Sequence, residues 1–384
     1  MNNPSTPLDE QCLSVLHSRQ GQSLLRRRKE ITPIDATHIE VAGKPYVNFA
    51  SNDYLGLSHH PKMISAVREA AQKFGVGSGA AGLISGYTTE HAAAEREIAR
   101  WKQMSSAILL PSGHQANLAA IQTIASVGKI RFLVDQLAHA SLIDAVKSTE
   151  TPWRIFPHNH LDKLKRLLSM APVDQMQVVV TESIFSMDGD AADLDGLRKL
   201  KEKYGFTLLL DEAHGTGVYG IGGNGYAAER QAADIVDVSV VTLSKSIGCI
   251  GGVICGSDAF VEAVVNLGRA WIYSTSVPAT VAAAAREAIR IMRDEPARQN
   301  RLRELARRVR SELDIPGPAD SPIIPVILGD EQAALQASEK LRDSGMWVVA
   351  VRPPTVKRGS SRLRITLSSE HTDAEIEQLI RALV

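Results

Sequence analysis

Asp211, His214 and Lys245 are the residues whose types and placement could do chemistry together. A short apolar run, Thr207-Leu208-Leu209-Leu210, ends on Asp211-Glu212-Ala213-His214-Gly215. A second, Val238-Ser239-Val240-Val241-Thr242, ends on Ser244-Lys245-Ser246. Short apolar runs with charged groups at their C-terminal ends predict buried parallel strands that feed a crevice. An acid, an imidazole and an amine delivered to such a crevice meet the needs of pyridoxal 5′-phosphate (PLP). The lysine takes its aldehyde as a Schiff base, and the aspartate keeps the pyridine nitrogen protonated so that the ring accepts electrons.

The elements that must position these groups can be read along the chain. Residues up to about 33 have the pattern of an amphipathic helix ending in the basic run Arg26-Arg27-Arg28-Lys29, read as a solvated helix end. Tyr46-Val47-Asn48-Phe49 is strand-like, and the dense glycines from Gly75 to Gly86 mark backbone that turns sharply or is closely approached. The run Ala107-Ile108-Leu109-Leu110 leads through Pro111-Ser112-Gly113-His114 into helical spacing over 115–125, a strand–turn–helix junction whose free N–H groups suit an anion. Further strands are expected at 131–135, 153–156, 177–181 and 251–254, with helices between them. This alternation predicts an α/β fold with a mostly parallel sheet covered on both faces. A long charged helix over 280–313 leads to a smaller α+β unit, with strands at 323–328, 346–351 and 362–366 and helices at 331–344 and 373–383. The expected division is an N-terminal helical segment (1–45), a large cofactor-binding domain (46–285) and a small C-terminal domain (286–384).

Bulk properties exclude several classes. The 384 residues carry 43 Lys+Arg against 43 Asp+Glu, so neither nucleic acid nor an anionic membrane is an expected partner. Cys12, Cys249 and Cys255 form no CxxC pair, the N-terminus has no signal-peptide pattern, and no run is long enough to span a membrane. A cytoplasmic location and a site without metal are expected. Asp211-Glu212-Ala213-His214 also spells a helicase acidic box, but no GxxxxGK[ST] loop accompanies it. A non-catalytic partner subunit of a PLP enzyme is disfavoured by Lys245.

Ser51-Asn52-Asp53-Tyr54-Leu55-Gly56-Leu57, Gly77-Ser78-Gly79, Ser186-Met187-Asp188-Gly189-Asp190, Asp211-Glu212-Ala213-His214-Gly215 and Thr242-Leu243-Ser244-Lys245 resemble, in this order, the motifs of the α-oxoamine synthases, fold-type I (aminotransferase-like) PLP enzymes. The resemblance covers nearly the whole chain. Ser85-Gly86-Tyr87, Tyr273-Ser274-Thr275-Ser276 and Val351-Arg352-Pro353-Pro354-Thr355-Val356 are most similar to the branch that condenses L-alanine with a pimeloyl thioester in biotin synthesis.

By that resemblance Lys245 carries the cofactor and later takes the α-proton, and Asp211 pairs with the pyridinium nitrogen. His214 and Ser186 bond the phenolic oxygen. His139 stacks on the ring, bordering both cofactor and substrate. Main-chain groups of Gly113 and His114, with Thr242, hold the cofactor near its phosphate. Thr275 reaches the phosphate of a partner subunit, which implies a homodimer. Arg364 binds the amino-acid carboxylate with Asn52 and Thr366 nearby, and Arg26 faces the acyl substrate, carried on CoA or a carrier protein. Three positions depart from the family pattern. His114 stands where relatives often have an aromatic residue, and Ser244 and Ser246 flank the lysine where relatives tend to have glycine. The stretch from Gly77 to Gly82 lacks the arginine of glycine-using members, which favours alanine over a sibling that takes glycine or another acyl-CoA.

Overall fold

Val178, Val179 and Val180 are all fully buried, as are Leu208, Leu209 and Leu210 beside them. A strand apolar at every position has to be covered on both faces, and that requirement builds the molecule. The computed structural model describes residues 6–172, 174–318 and 320–384. Its central sheet has seven strands: β1 (Ser106–Leu110), β2 (Ile130–Asp135), β3 (Trp153–Phe156), β4 (Met176–Glu182), β5 (Thr207–Asp211), β6 (Val238–Thr242) and β7 (Gly252–Gly256). Their spatial order is β1-β7-β6-β5-β4-β2-β3. All neighbours are parallel except β7, which runs antiparallel to both β1 and β6. The C-terminal ends of β1, β2, β4, β5 and β6 therefore open on one edge.

Local chemistry fixes the junctions on that edge. Ser112 caps the helix Gly113–Ser126, its hydroxyl accepting from the Gln115 N–H at 3.2 Å. His139 caps the helix Ala140–Lys147 after β2. Asp193 caps Leu194–Tyr204, and Gly205 (φ 63°) ends that helix in the left-handed conformation before β5 begins.

Two smaller sheets lie beyond the large one. Ile323–Gly329, Ser361–Thr366 and Val349–Val351 make an antiparallel three-stranded sheet. Thr32–Pro33, His38–Val41, Lys44–Asn48 and Met346–Trp347 make the other, in which a C-terminal strand runs parallel to Lys44–Asn48. No helix among the described residues is long and apolar enough to cross a membrane.

Three expectations need correction. The first helix is confined to Pro7–Gly21 and is exposed along its whole length; Ser23 takes φ 55°, the Leu24 N–H bonds the Arg19 carbonyl at 2.9 Å, and the basic run follows as irregular chain. The segment 280–313 is two helices, Ala279–Asp294 and Ala297–Glu312, because Glu295 leaves helical geometry before Pro296. The strand expected over 346–351 is two strands in different sheets, parted at the buried Val348.

Candidate active site

Lys245 follows β6 in a tight turn in which the Gly248 N–H bonds the Lys245 carbonyl at 2.8 Å. Ser246 packs against Gly217, which takes φ +85° and has no room for a Cβ, so serine is accommodated beside the lysine by a glycine elsewhere. The Lys245 amine lies 2.8 Å from Nε2 of His214, and Nδ1 of His214 lies 2.6 Å from the Tyr54 hydroxyl. Burial holds His214 well below the ordinary imidazole range, and the nearby Lys245 and Arg364 charges add to the effect. The ring is therefore neutral and links amine to phenol. Burial also lowers Lys245 to about 8, against the opposing pull of Asp211. An amine with that proton affinity is about a tenth free base at pH 7, far more than an ordinary lysine, and is a competent nucleophile.

Tyr54 is fully buried, and burial pushes its phenol up to about 12. Its hydroxyl donates to Oδ1 of Asn52 at 3.2 Å, and Nη1 of Arg364 donates to the same oxygen at 3.1 Å. Nε of Arg364 donates to the Ser186 carbonyl at 2.6 Å. Both partners of this guanidinium are neutral, whereas Arg362 two residues earlier is paired with Asp188 at 2.5 Å. An arginine oriented by neutral acceptors keeps its charge for an incoming carboxylate. Thr366 next to it donates to the Phe49 carbonyl at 3.1 Å.

Asp211 ends β5 and is almost wholly buried. Its Oδ2 accepts from the side-chain amide of Asn117 at 2.8 Å and its Oδ1 from the Ala213 N–H at 2.9 Å. Asn117 also donates to the Ser141 hydroxyl at 2.9 Å, which in turn lies 2.7 Å from Nδ1 of His139. One asparagine thus fixes the carboxylate and, through Ser141, the imidazole. Burial lowers the basicity of His139, with Asp211 opposing. Gly113 opens its helix against Thr242, and a Cβ there would lie 3.2 Å from the Thr242 hydroxyl. Thr242 bonds Ser244 at 2.8 Å. His114 is exposed at the same helix N-terminus.

These residues fit PLP: a fixed acid for the ring nitrogen, an amine of lowered basicity for the aldehyde, and a helix N-terminus without a Cβ for the phosphate. Arg26 and Thr275 stand apart from this group. Arg26 is exposed and reaches the Pro353 carbonyl at 3.4 Å, and Thr275 is exposed and bridges Ala81. Among the described residues no cluster of His, Cys, Asp or Glu is arranged to hold a metal.

Residues 44–383 match the family model of aminotransferase class I and II, and the chain belongs to that family. Within it the chain is a fold-type I, PLP-dependent α-oxoamine synthase, and PLP is its cofactor. It is similar to serine palmitoyltransferase from S. paucimobilis with a bound PLP–myriocin aldimine, at 28% identity and TM-score 0.91 over 99% of this chain and 98% of that one. Serine palmitoyltransferase of Sphingomonas wittichii matches at 29% identity and TM-score 0.90 over 98% and 95%. An 8-amino-7-oxononanoate synthase from Francisella tularensis matches at 27% identity and TM-score 0.75 over 88% and 96%.

Tyr54, Asn117 and Glu182, to which the sequence pattern assigns no role, join the same group. Tyr54 lies within the Ser51–Leu57 motif, and Asn117 lies one helical turn beyond Gly113, so spacing on that helix face is the signal for it.

Proposed function

We propose that the protein condenses L-alanine with a pimeloyl thioester, releasing carbon dioxide and the carrier thiol and forming 8-amino-7-oxononanoate. The observation that carries the reaction type is the hydrogen-bonded line from Lys245 through His214, Tyr54 and Asn52 to Arg364. It sets a proton-transferring amine in register with a carboxylate-binding guanidinium. Bound PLP supplies an electron sink that stabilises negative charge at the amino acid's α-carbon. Arg364 and Asn52 hold the substrate carboxylate. Lys245, close by at high effective concentration, takes the α-proton on Nζ. Asp211, steadied by Asn117, keeps the proton on the ring nitrogen. The α-carbon then bonds to the thioester carbonyl, the thiolate leaves, and decarboxylation of the β-keto acid is followed by return of a proton from Lys245.

Alanine is supported by the lack of an arginine between Gly77 and Gly82 and by the likeness to the Francisella protein. A second reading, L-serine with a long-chain acyl-CoA, is favoured by the closer superposition on serine palmitoyltransferases. Glycine-using siblings of the 2-amino-3-oxobutyrate-CoA ligase or 5-aminolevulinate synthase type remain a third. Thiol release from pimeloyl-, palmitoyl- and acetyl-CoA, each with alanine, serine and glycine, separates them. Fastest release from alanine with pimeloyl-CoA supports the proposal, and fastest release from serine with palmitoyl-CoA overturns it. We also propose that the enzyme is a cytoplasmic homodimer. Val76, Ile84 and Tyr273 are 85%, 79% and 73% exposed beside the segment carrying Thr275, an apolar surface suited to a second copy.

A further inference from the structure

Glu182 is the last residue of β4 and the register partner of Asp211 at the end of β5. Paired residues of adjacent parallel strands present their side chains on the same face of the sheet, so two carboxyl groups stand side by side. Glu182 is 2% exposed, and its Oε1 has no hydrogen-bond partner. Among the described residues it forms no ion pair, whereas Glu212, one residue past Asp211, is paired with Lys102. Two adjacent buried carboxyls do not both ionise, because each charge lacks water and repels the other. The hydrogen bonds decide which one does. Asp211 accepts two N–H donors that favour its charged form, while an oxygen of Glu182 accepts none. Burial is the largest influence on Glu182. Together with Asp211 and Asp135 it raises the group well above the ordinary carboxylate range, against the opposing pull of Lys245 and the His139 main-chain N–H.

We propose that Glu182 is a positioning residue that stands in the site as a neutral carboxylic acid, leaving Asp211 as the single negative charge set against the cofactor ring and the Lys245 amine. The inference rests on the site reading above and adds a charge state to it. A second negative charge here would hold a proton on Lys245 and slow its attack on the cofactor aldehyde. A neutral acid instead presents an O–H donor in place of a second charge.

The test is infrared spectroscopy of the full-length protein carrying ¹³C-carboxyl glutamate, with and without PLP. The expected result is a protonated-acid C=O component at pH 7.5 that appears in the difference between the unsubstituted protein and Glu182→Gln; the buried Glu95, raised to about 7, contributes equally to both and cancels. Absence of that component from the difference overturns the proposal. A second readout is the pH midpoint of PLP loading onto Lys245. Glu182→Gln replaces a neutral acid by a neutral amide and leaves this midpoint in place; a fall of about one pH unit or more would show that a charge had been removed. Failure of the unsubstituted protein to take up PLP would sink the site reading while leaving the infrared test of Glu182 intact.

Discussion

Nε2 of His214 lies 2.8 Å from the Lys245 amine. The contact ties the amine into the hydrogen-bonded line that runs through Tyr54 and Asn52 to Arg364. Lys245→Ala is expected to retain the fold by circular dichroism and to lose turnover by roughly 10⁴-fold or more. Borohydride reduction followed by peptide mass analysis should attach the cofactor to Lys245 in the native protein and to nothing in the variant. Ordinary turnover in Lys245→Ala would refute the mechanism.

The lowered basicity of that amine has a pH signature. With its midpoint moved down to about 8 by burial, Lys245 is protonated below that pH and free above it. The rate of PLP uptake by the stripped protein, followed by absorbance, should climb as pH passes through about 8 and then level off. A midpoint near 10.5, the ordinary lysine value, would show that the amine is not buried as described.

Removing one hydroxyl tests the line itself. Tyr54→Phe leaves Nδ1 of His214 and Oδ1 of Asn52 without their shared partner. An unsatisfied buried polar group costs about 1–3 kcal/mol, so the unfolding free energy from urea titration should fall by about that amount, the loss lying at His214 because Asn52 keeps its Arg364 donor. Unchanged stability would mean that the phenol is only filling space.

Glu212, the residue after Asp211, belongs to a separate buried ion pair. Lys102, Glu212 and the Asn224 carbonyl form a buried group, and Glu212 also accepts the Ala227 N–H at 2.9 Å. Lys102→Met strands the carboxylate and should lower unfolding free energy by about 3–5 kcal/mol in urea titrations. Adding Glu212→Gln to that variant should recover part of the loss, and a purely additive double variant would argue against the pairing.

His158 bridges two carboxylates, Asp135 at 2.9 Å and Asp190 at 2.6 Å. Burial works against its charge, but the two carboxylates outweigh it and lift the imidazole from its ordinary 6.5 to about 10. The folded state therefore binds this proton more tightly than the unfolded chain. The stabilisation is complete below pH 6.5, shrinks as the unfolded histidine loses its proton, and is gone once pH passes about 10. Urea midpoints of the native protein should fall across that window relative to His158→Gln; parallel curves would remove the clamp from the account.

The residues easiest to read were those at the ends of continuous apolar runs. Asp211 and Lys245 announce themselves because a strand buried on both faces has no other reason to end in charge. The same runs conceal direction. Gly252–Gly256 looks like its parallel neighbours and lies antiparallel between two of them, since alternation and composition carry no sign for pairing. Tyr54 was hidden because its partner His214 is 160 residues away, and Arg364 is fixed by a carbonyl 178 residues away. Such contacts are properties of topology. The break at Glu295 was hidden differently: helical periodicity continues on both sides of Pro296, so the spacing masks the interruption.

The contact between Arg364 and Asn52 spans 312 residues. During synthesis the loop carrying Asn52 is made long before the guanidinium that completes the proposed carboxylate site. A polypeptide cut short before Arg364 but holding Lys245, His214 and Asp211 would keep the amine for an aldehyde and lack the group proposed to grip the amino acid.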